Sequence, residues 1–264
     1  MMLKYQNKIP VAAHRGNAKY FPENTMASFR AAAALRPDMI ETDVHMTKDG
    51  ALVLLHDHML GRTTDGTGLI REKTLRQIRM LDAGRWKGAE FEGERVPVLE
   101  EFLDFFKNDS GMLFNIELKD YPADSGSFAY EAAEKTVQMM KEYGIFERSV
   151  INSWSGELNE YLWEKYRGDI RIHAYSPQEV MGLRQKRFVY DYAYCVCLWG
   201  ASEDPVADQS RFALCRDYGA EPWVYFPQDS PEIYDRALER GAVLFTSNDP
   251  AWAIEYLRGR GLHR

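Results

Sequence analysis

Short apolar runs rich in β-branched and aromatic residues recur along the chain. Between most of them lie longer stretches in which apolar positions return every three or four residues. The short runs read, in order, "IPVAAH", "DMIETDV", "ALVLLH", "MLFNIEL", "RSVINSW", "DIRIHAY", "AYCVCLW", "EPWVYF" and "AVLFTS". Runs of this length and composition predict strands. "NTMASFRAAAALR" after the first run and "SFAYEAAEKTVQMMKEYG" after the fourth carry the helical period. Such alternation predicts βα units around a parallel sheet. At 264 residues the expected fold class is an α/β TIM (β/α)8 barrel, with a doubly wound open sheet as second candidate.

Nine runs are one too many for an eight-stranded barrel. Thr47-Lys48-Asp49-Gly50 accounts for the surplus, because Asp-Gly between two apolar runs signals a hairpin. The segment from Asp43 to Leu52 is also too short for a crossover helix. "ALVLLH" then either folds back antiparallel on "ETDV", with His56 roughly opposite Glu41, or follows a tight loop as a parallel strand. Both arrangements end His56 near carboxylates. Residues 57–98 break the alternation, being rich in glycine and charge with one helical pattern, Thr74 to Met80. The expected organisation is a single domain over 1–264, with 57–98 inserted on the active-site face as a cap subdomain.

Composition narrows the class. The chain is 45% hydrophobic and 28% charged, with a net charge of −7. This balance suits a globular enzyme and argues against a general nucleic-acid or anionic-membrane surface. No apolar run reaches the length of a membrane span. The N-terminal residues lack the apolar stretch of a signal peptide. Three cysteines, Cys195, Cys197 and Cys215, form no disulfide framework and fit a reducing compartment, so a cytoplasmic location is expected.

In a barrel, chemistry gathers at the C-terminal ends of the strands. There the sequence sets His14-Arg15, then Glu41 and Asp43 two apart on one strand face, then His56-Asp57, then Glu117 and Lys119, again two apart. Inward-facing charges are costly unless paired or bound to an ion. A divalent cation relieves three mutually repelling carboxylates, and oxygen-only ligation selects Mg²⁺ or Ca²⁺. Three protein ligands leave room for water or substrate oxygens. Arg15 and Lys119 beside such a cation point to a bound anion, and a guanidinium fork suits phosphate. His14 and His56 supply a base and an acid near neutral pH. Together these residues describe phosphodiester hydrolysis of a small-molecule substrate.

Other polar and aromatic residues carry structural expectations. Asn24 reads as the N-cap of the first helix. His45 is expected beyond the site in the turn, His58 exposed in the insertion, and His173 a satisfied histidine at a strand end. Trp154 and Trp199 are expected to be packing residues.

The blocks "HRG…PENT", "ETDVHMTKDG", "LLHD…RTTDGTG" and "NIELK" resemble the signature blocks of the glycerophosphodiester phosphodiesterases, from residue 11 to about residue 120. The resemblance implies a TIM barrel with a small inserted subdomain. It implies metal-dependent hydrolysis of glycerophosphodiesters to sn-glycerol 3-phosphate and an alcohol. By motif, His14 and His56 resemble the acid–base pair, with His14 favoured as base and His56 as acid. Glu41, Asp43 and Glu117 resemble the metal ligands, and Arg15 and Lys119 the phosphate-binding cations. One departure stands out: where the family has a "WTVN"-like strand end, this chain has "VYFPQD", with Tyr225 for the tryptophan and Gln228 for the asparagine. That places the substrate, more than the reaction, in question. The alternatives are a related phosphodiesterase for lysophospholipids or another phosphodiester, and a catalytically silent phosphate-ligand-binding protein.

Overall fold

The computed structural model describes residues 2–201 and 204–264. All nine apolar runs form strands: β1 (Val11–Ala13), β2 (Met39–Met46), β3 (Leu52–Leu54), β4 (Leu113–Leu118), β5 (Ser149–Asn152), β6 (Ile172–Ser176), β7 (Cys195–Leu198), β8 (Glu221–Tyr225) and β9 (Leu244–Ser247). Eight of them run parallel, and β1 closes the barrel by pairing with both β2 and β9. The ninth, β3, lies antiparallel on β2, so the Asp-Gly turn makes a hairpin. Val44 pairs with Leu54. Continuing that register sets His56 across from Thr42, one residue away from the expected Glu41.

Strands covered on both faces bury almost every residue, which is why they read as continuous apolar runs. Among the described residues, seven helices of eight residues or more pack outside the sheet: Met26–Leu35, Leu99–Phe106, Ser127–Glu142, Gly156–Lys165, Gln209–Tyr218, Pro231–Arg240 and Pro250–Gly259. The crossover from β6 to β7 uses only the 3₁₀ turns Gln178–Met181 and Val189–Asp191. Inside, Ala12, Met39, Leu113, Val150, Cys195, Trp223 and Leu244 fill the barrel floor together with Leu3. Glu221 ties this floor down, accepting hydrogen bonds from Tyr5 Oη (2.5 Å), Tyr194 Oη (2.8 Å) and Trp223 Nε1 (3.0 Å). The floor is thus sealed, and the polar layer sits at the opposite mouth. No helix among the described residues is long and apolar enough to cross a membrane.

Residues 57–98 form loops around a small core of their own, in which Leu60, Ile70, Ile78, Ala83 and Val96 pack with Val53 and Leu55. Their one α-helical turn, Leu75–Ile78, is closed by a Thr74–Gln77 capping box. The segment leans on the loop after β1: Phe91 meets Phe21 at 5.4 Å, and Lys87 Nζ donates to the Ala18 carbonyl at 2.7 Å.

The first strand ends where the chain must turn back under its own helix. His14 N donates to the Ser247 carbonyl at 2.9 Å, the last link to β9. Arg15 then adopts φ 53° and Gly16 φ 86°, both left-handed. A β-carbon on Gly16 would lie 2.4 Å from Ser28 Oγ and 2.8 Å from the Ser28 carbonyl carbon. Gly16→Ala is therefore expected to destabilise the protein by roughly 1–3 kcal/mol from backbone strain alone. Thermal unfolding should show this as a loss of about 2–10 °C; an unchanged midpoint would contradict the assignment.

Candidate active site

Glu41 and Asp43 point into the barrel mouth from β2, and Glu117 joins them from β4, where it pairs with Asp43 in the ladder. All three are buried, and one oxygen from each lies within 4.8 Å of the others. Each carboxylate has partners on one side. Glu41 Oε2 accepts from the Arg15 backbone N–H at 2.9 Å. Asp43 Oδ2 accepts from Asn24 Nδ2 at 2.7 Å. Glu117 Oε1 accepts from Lys119 Nζ at 2.7 Å, and Tyr175 Oη donates to Glu117 Oε2 at 3.4 Å. Glu41 Oε1 and Asp43 Oδ1 are buried with no hydrogen-bond donor among the described residues.

The charges do not balance. Lys119 Nζ stands 3.6 Å from Asp43 Oδ1, and Arg15 Nε 3.2 Å from Asp43 Oδ2 without the alignment of a hydrogen bond. Two cations thus face three carboxylates, and Arg15 is shared with Glu23, whose Oε1 accepts from Nη1 at 2.8 Å. Burial pushes the Glu41 carboxyl well above its usual range, and repulsion from Asp43 and Glu117 adds to this. Burial opposes ionisation of Asp43 too, but Arg15 and Lys119 outweigh it and hold that carboxyl below the usual range. A hard divalent cation fits this group: it would meet the two undonated oxygens and supply the missing positive charge.

Asn24 holds the cluster in place. The helix cap is its neighbour Thr25, whose side chain accepts from Ser28 N, so the expectation for Asn24 is corrected. Asn24 adopts φ 56°, a conformation asparagine tolerates better than most residues. That turn sends its amide inward, where Oδ1 accepts from Thr42 Oγ1 at 2.9 Å and from Asp43 N at 3.3 Å.

The two candidate catalytic histidines sit in contrasting settings. His14 Nδ1 lies 2.7 Å from Asn248 Oδ1, while Asn248 Nδ2 donates to Tyr225 Oη at 3.1 Å. The amide thus accepts from Nδ1–H and leaves Nε2 facing the carboxylates, 3.8 Å from Glu41 Oε2. Burial, with Arg15 adding to it, pushes the His14 pKa down to about 3, which keeps the ring neutral. His56 is half-buried and pairs with a carboxylate instead, Nδ1 to Asp57 Oδ1 at 2.6 Å.

The other histidines depart from expectation. His45 lies within β2 rather than in the turn, buried, with Nδ1 3.1 Å from Asp120 Oδ1. His58 is half-buried, edge-on to His45 and Tyr121 at 5.1 and 4.9 Å. His173 is the second residue of β6, deep in the barrel rather than at a strand end. Its Nδ1 meets Asn115, and Nε2 has no hydrogen-bond partner among the described residues.

A cleft opens over Glu41, Glu117 and His14. Its wall is aromatic. Trp154 packs at a tilt against Trp199 at 4.9 Å and Tyr175 at 5.1 Å, and Tyr225 lies 4.6 Å from the His14 ring. Both tryptophans pack against the barrel core, as expected of them, and also line the cleft. Tyr225 of "VYFPQD" supplies wall, whereas Gln228 is exposed on the loop that follows. Asn24 and Asn248 were not among the sequence-derived site residues. The one visible signal was their position, at a helix start and at a strand end.

A glycerophosphodiester phosphodiesterase of Caldanaerobacter subterraneus subsp. tengcongensis is 44% identical over 149 residues, 56% of this chain and 59% of that protein. Human glycerophosphodiester phosphodiesterase 1 is 34% identical over 179 residues, 67% of this chain and 52% of that protein. The chain thus matches little more than half the length of these relatives. A solved Oleispira antarctica phosphodiesterase in complex with the product sn-glycerol-3-phosphate shares the fold with a TM-score of 0.79 at 23% identity, covering 94% of this chain and 96% of that one. A family model matches residues 14–250, from the histidine that ends β1 to the proline that opens the last helix, and the chain therefore belongs to the glycerophosphoryl diester phosphodiesterase family.

Proposed function

We propose that this protein hydrolyses glycerophosphodiesters to sn-glycerol 3-phosphate and an alcohol. The observation that carries this reading is the buried trio of Glu41, Asp43 and Glu117 with two undonated oxygens, set beside Arg15, Lys119 and two oriented histidines. Family membership and the names of the relatives support it. Glu41, Asp43 and Glu117 would hold one divalent cation, Mg²⁺ or Ca²⁺, which when bound would polarise the phosphoryl oxygens.

The chain's own groups do the rest. Arg15 and Lys119 place positive charge against the equatorial phosphate oxygens, where charge develops. His14 Nε2, kept free by the Nδ1–Asn248 bond, takes the proton of the nucleophile, a water or the neighbouring glycerol hydroxyl. The new P–O bond forms as the bond to the alcohol breaks, and His56 delivers a proton to the departing oxygen; where the glycerol hydroxyl is the nucleophile, this step leaves a cyclic phosphate, which a water then opens to sn-glycerol 3-phosphate with the two histidines exchanging roles. Asp57 fixes the His56 tautomer and offers a negative partner to a ring that carries a proton. The aromatic wall holds the apolar faces of the substrate. Residues 57–98 act as a cap that bears on specificity and supplies no metal ligand. The three buried free thiols suit a reducing, cytoplasmic setting.

Turnover of glycerophosphocholine with Mg²⁺ or Ca²⁺, abolished by chelator, tests the proposal directly. No turnover of glycerophosphocholine or glycerophosphoglycerol with either ion would refute it; turnover of a lysophospholipid instead would favour a related phosphodiesterase, and no turnover of any of the three a silent ligand-binding protein.

The histidine roles are separable. His14→Ala and His56→Ala are each expected to lose about 10²–10⁴-fold in rate on glycerophosphocholine. On a glycerol nitrophenyl phosphodiester the leaving group needs no proton, so His56→Ala should regain most of its activity and His14→Ala should not. Recovery of His14→Ala instead would reverse the roles.

Asn248→Ala removes the group that sets the His14 tautomer. A loss of roughly 10–100-fold in kcat is expected, comparable to the loss of other orienting partners. Metal affinity by calorimetry should be unchanged. A full-rate Asn248→Ala enzyme would contradict the tautomer assignment.

A further inference from the structure

Resting on that proposed reaction, we infer that Arg62 is a positioning residue which holds the proposed acid and the phosphate clamp in one rigid frame. Arg62 belongs to the inserted segment, two residues after Leu60 of its small core. Its side chain is 45% exposed, and an isolated ion pair at that exposure does little. This guanidinium, however, makes four hydrogen bonds to two carboxylates. Nε donates to Asp57 Oδ2 at 2.5 Å and Nη2 to Asp57 Oδ1 at 3.1 Å. Nη1 donates to Glu23 Oε2 at 3.0 Å and Nη2 to Glu23 Oε1 at 2.8 Å.

The oxygens shared through Nη2 are the decisive ones. Asp57 Oδ1 is also the atom that meets His56 Nδ1, at 2.6 Å. Glu23 Oε1 is also the atom that meets Arg15 Nη1, at 2.8 Å. A single N–H₂ group thus bridges the orienter of the proposed acid and the orienter of the phosphate clamp. Arg15 continues the chain to Asp43 in the carboxylate trio. Without Arg62 two carboxylates, Asp57 and Glu23, would face one another across the gap with no charge between them. Both could then turn towards solvent, releasing the His56 ring and the Arg15 fork. A planar five-donor fork can span two carboxylates; a lysine ammonium is a point charge that cannot hold both in fixed geometry.

The test compares wild type, Arg62→Gln, Arg62→Lys, Asp57→Asn and the Arg62→Gln/Asp57→Asn double variant. Two substrates are used, glycerophosphocholine and a glycerol nitrophenyl phosphodiester, with saturating Mg²⁺. Arg62→Gln should lose about 10–100-fold in kcat on glycerophosphocholine. On the nitrophenyl ester, which needs no acid, the loss should stay below about tenfold. Arg62→Lys should fall between wild type and Arg62→Gln. In the Asp57→Asn background the link to the acid is already broken, so Arg62→Gln should add less than about tenfold on glycerophosphocholine, the part that comes from its hold on Glu23 and Arg15. Melting temperature and Mg²⁺ affinity should match wild type. Equal losses on the two esters, a loss that follows a fall in melting temperature or metal affinity, or no loss at all would each overturn the inference. Wild type inactive on both substrates would instead refute the proposed reaction, and the Arg62 role with it.

Discussion

Three carboxylates share a buried pocket with only two cations, and the mouth of the barrel is organised around that imbalance. Burying a charge without compensation is among the most unfavourable things a fold can do. Here Lys119 sits on Glu117, Arg15 reaches Asp43, and the Arg15 backbone N–H serves Glu41. One oxygen each on Glu41 and Asp43 is still left without a donor. A divalent cation between them would remove the deficit, and the same ion would serve the proposed phosphodiester chemistry. The electrostatic problem of the fold and the catalytic opportunity are therefore one feature.

Much of the surrounding structure serves to hold that feature still. Arg15 and Asn24 both adopt left-handed backbone, and both do so within the loop that brings β1 back over β2. Such conformations persist where neighbours over-determine them. The Ser28 hydroxyl and the Asn24 N–H both bond the Arg15 carbonyl, and Gly16 lets the helix approach closely enough for this. The short run His14-Arg15-Gly16 thus makes physical sense as a unit: a ring aimed at the cleft, a clamp on Asp43, and the residue without a side chain that allows the turn.

The strands were legible because strands covered on both faces are largely apolar, and nine such runs, eight parallel and one antiparallel, stand out between turn residues. The carboxylate trio was legible because spacing of two on a strand fixes a common face. What escaped depended on distance in space rather than along the chain. Asn248 reaches His14 across 234 positions, and Arg62 reaches Glu23 across 39. No local pattern encodes such partners. Asn24 was misread because Asn followed by Thr before a helix offers two plausible caps, and its inward turn follows from contacts with β2. His45 was misplaced because β2 runs on to Met46, two residues past the alternating stretch that predicted it. The missing helix between β6 and β7 left no trace in the apolar period of either flanking strand.

Diffraction from crystals soaked in Mn²⁺, which shares the oxygen-ligand preference of Mg²⁺ and Ca²⁺ and gives an anomalous signal, tests the central claim most directly. The account predicts one strong anomalous peak at the barrel mouth, with oxygens of Glu41, Asp43 and Glu117 at about 2.0–2.6 Å. Absence of that peak at millimolar Mn²⁺, or a peak held by other residues while Glu117 stays paired with Lys119, would contradict it.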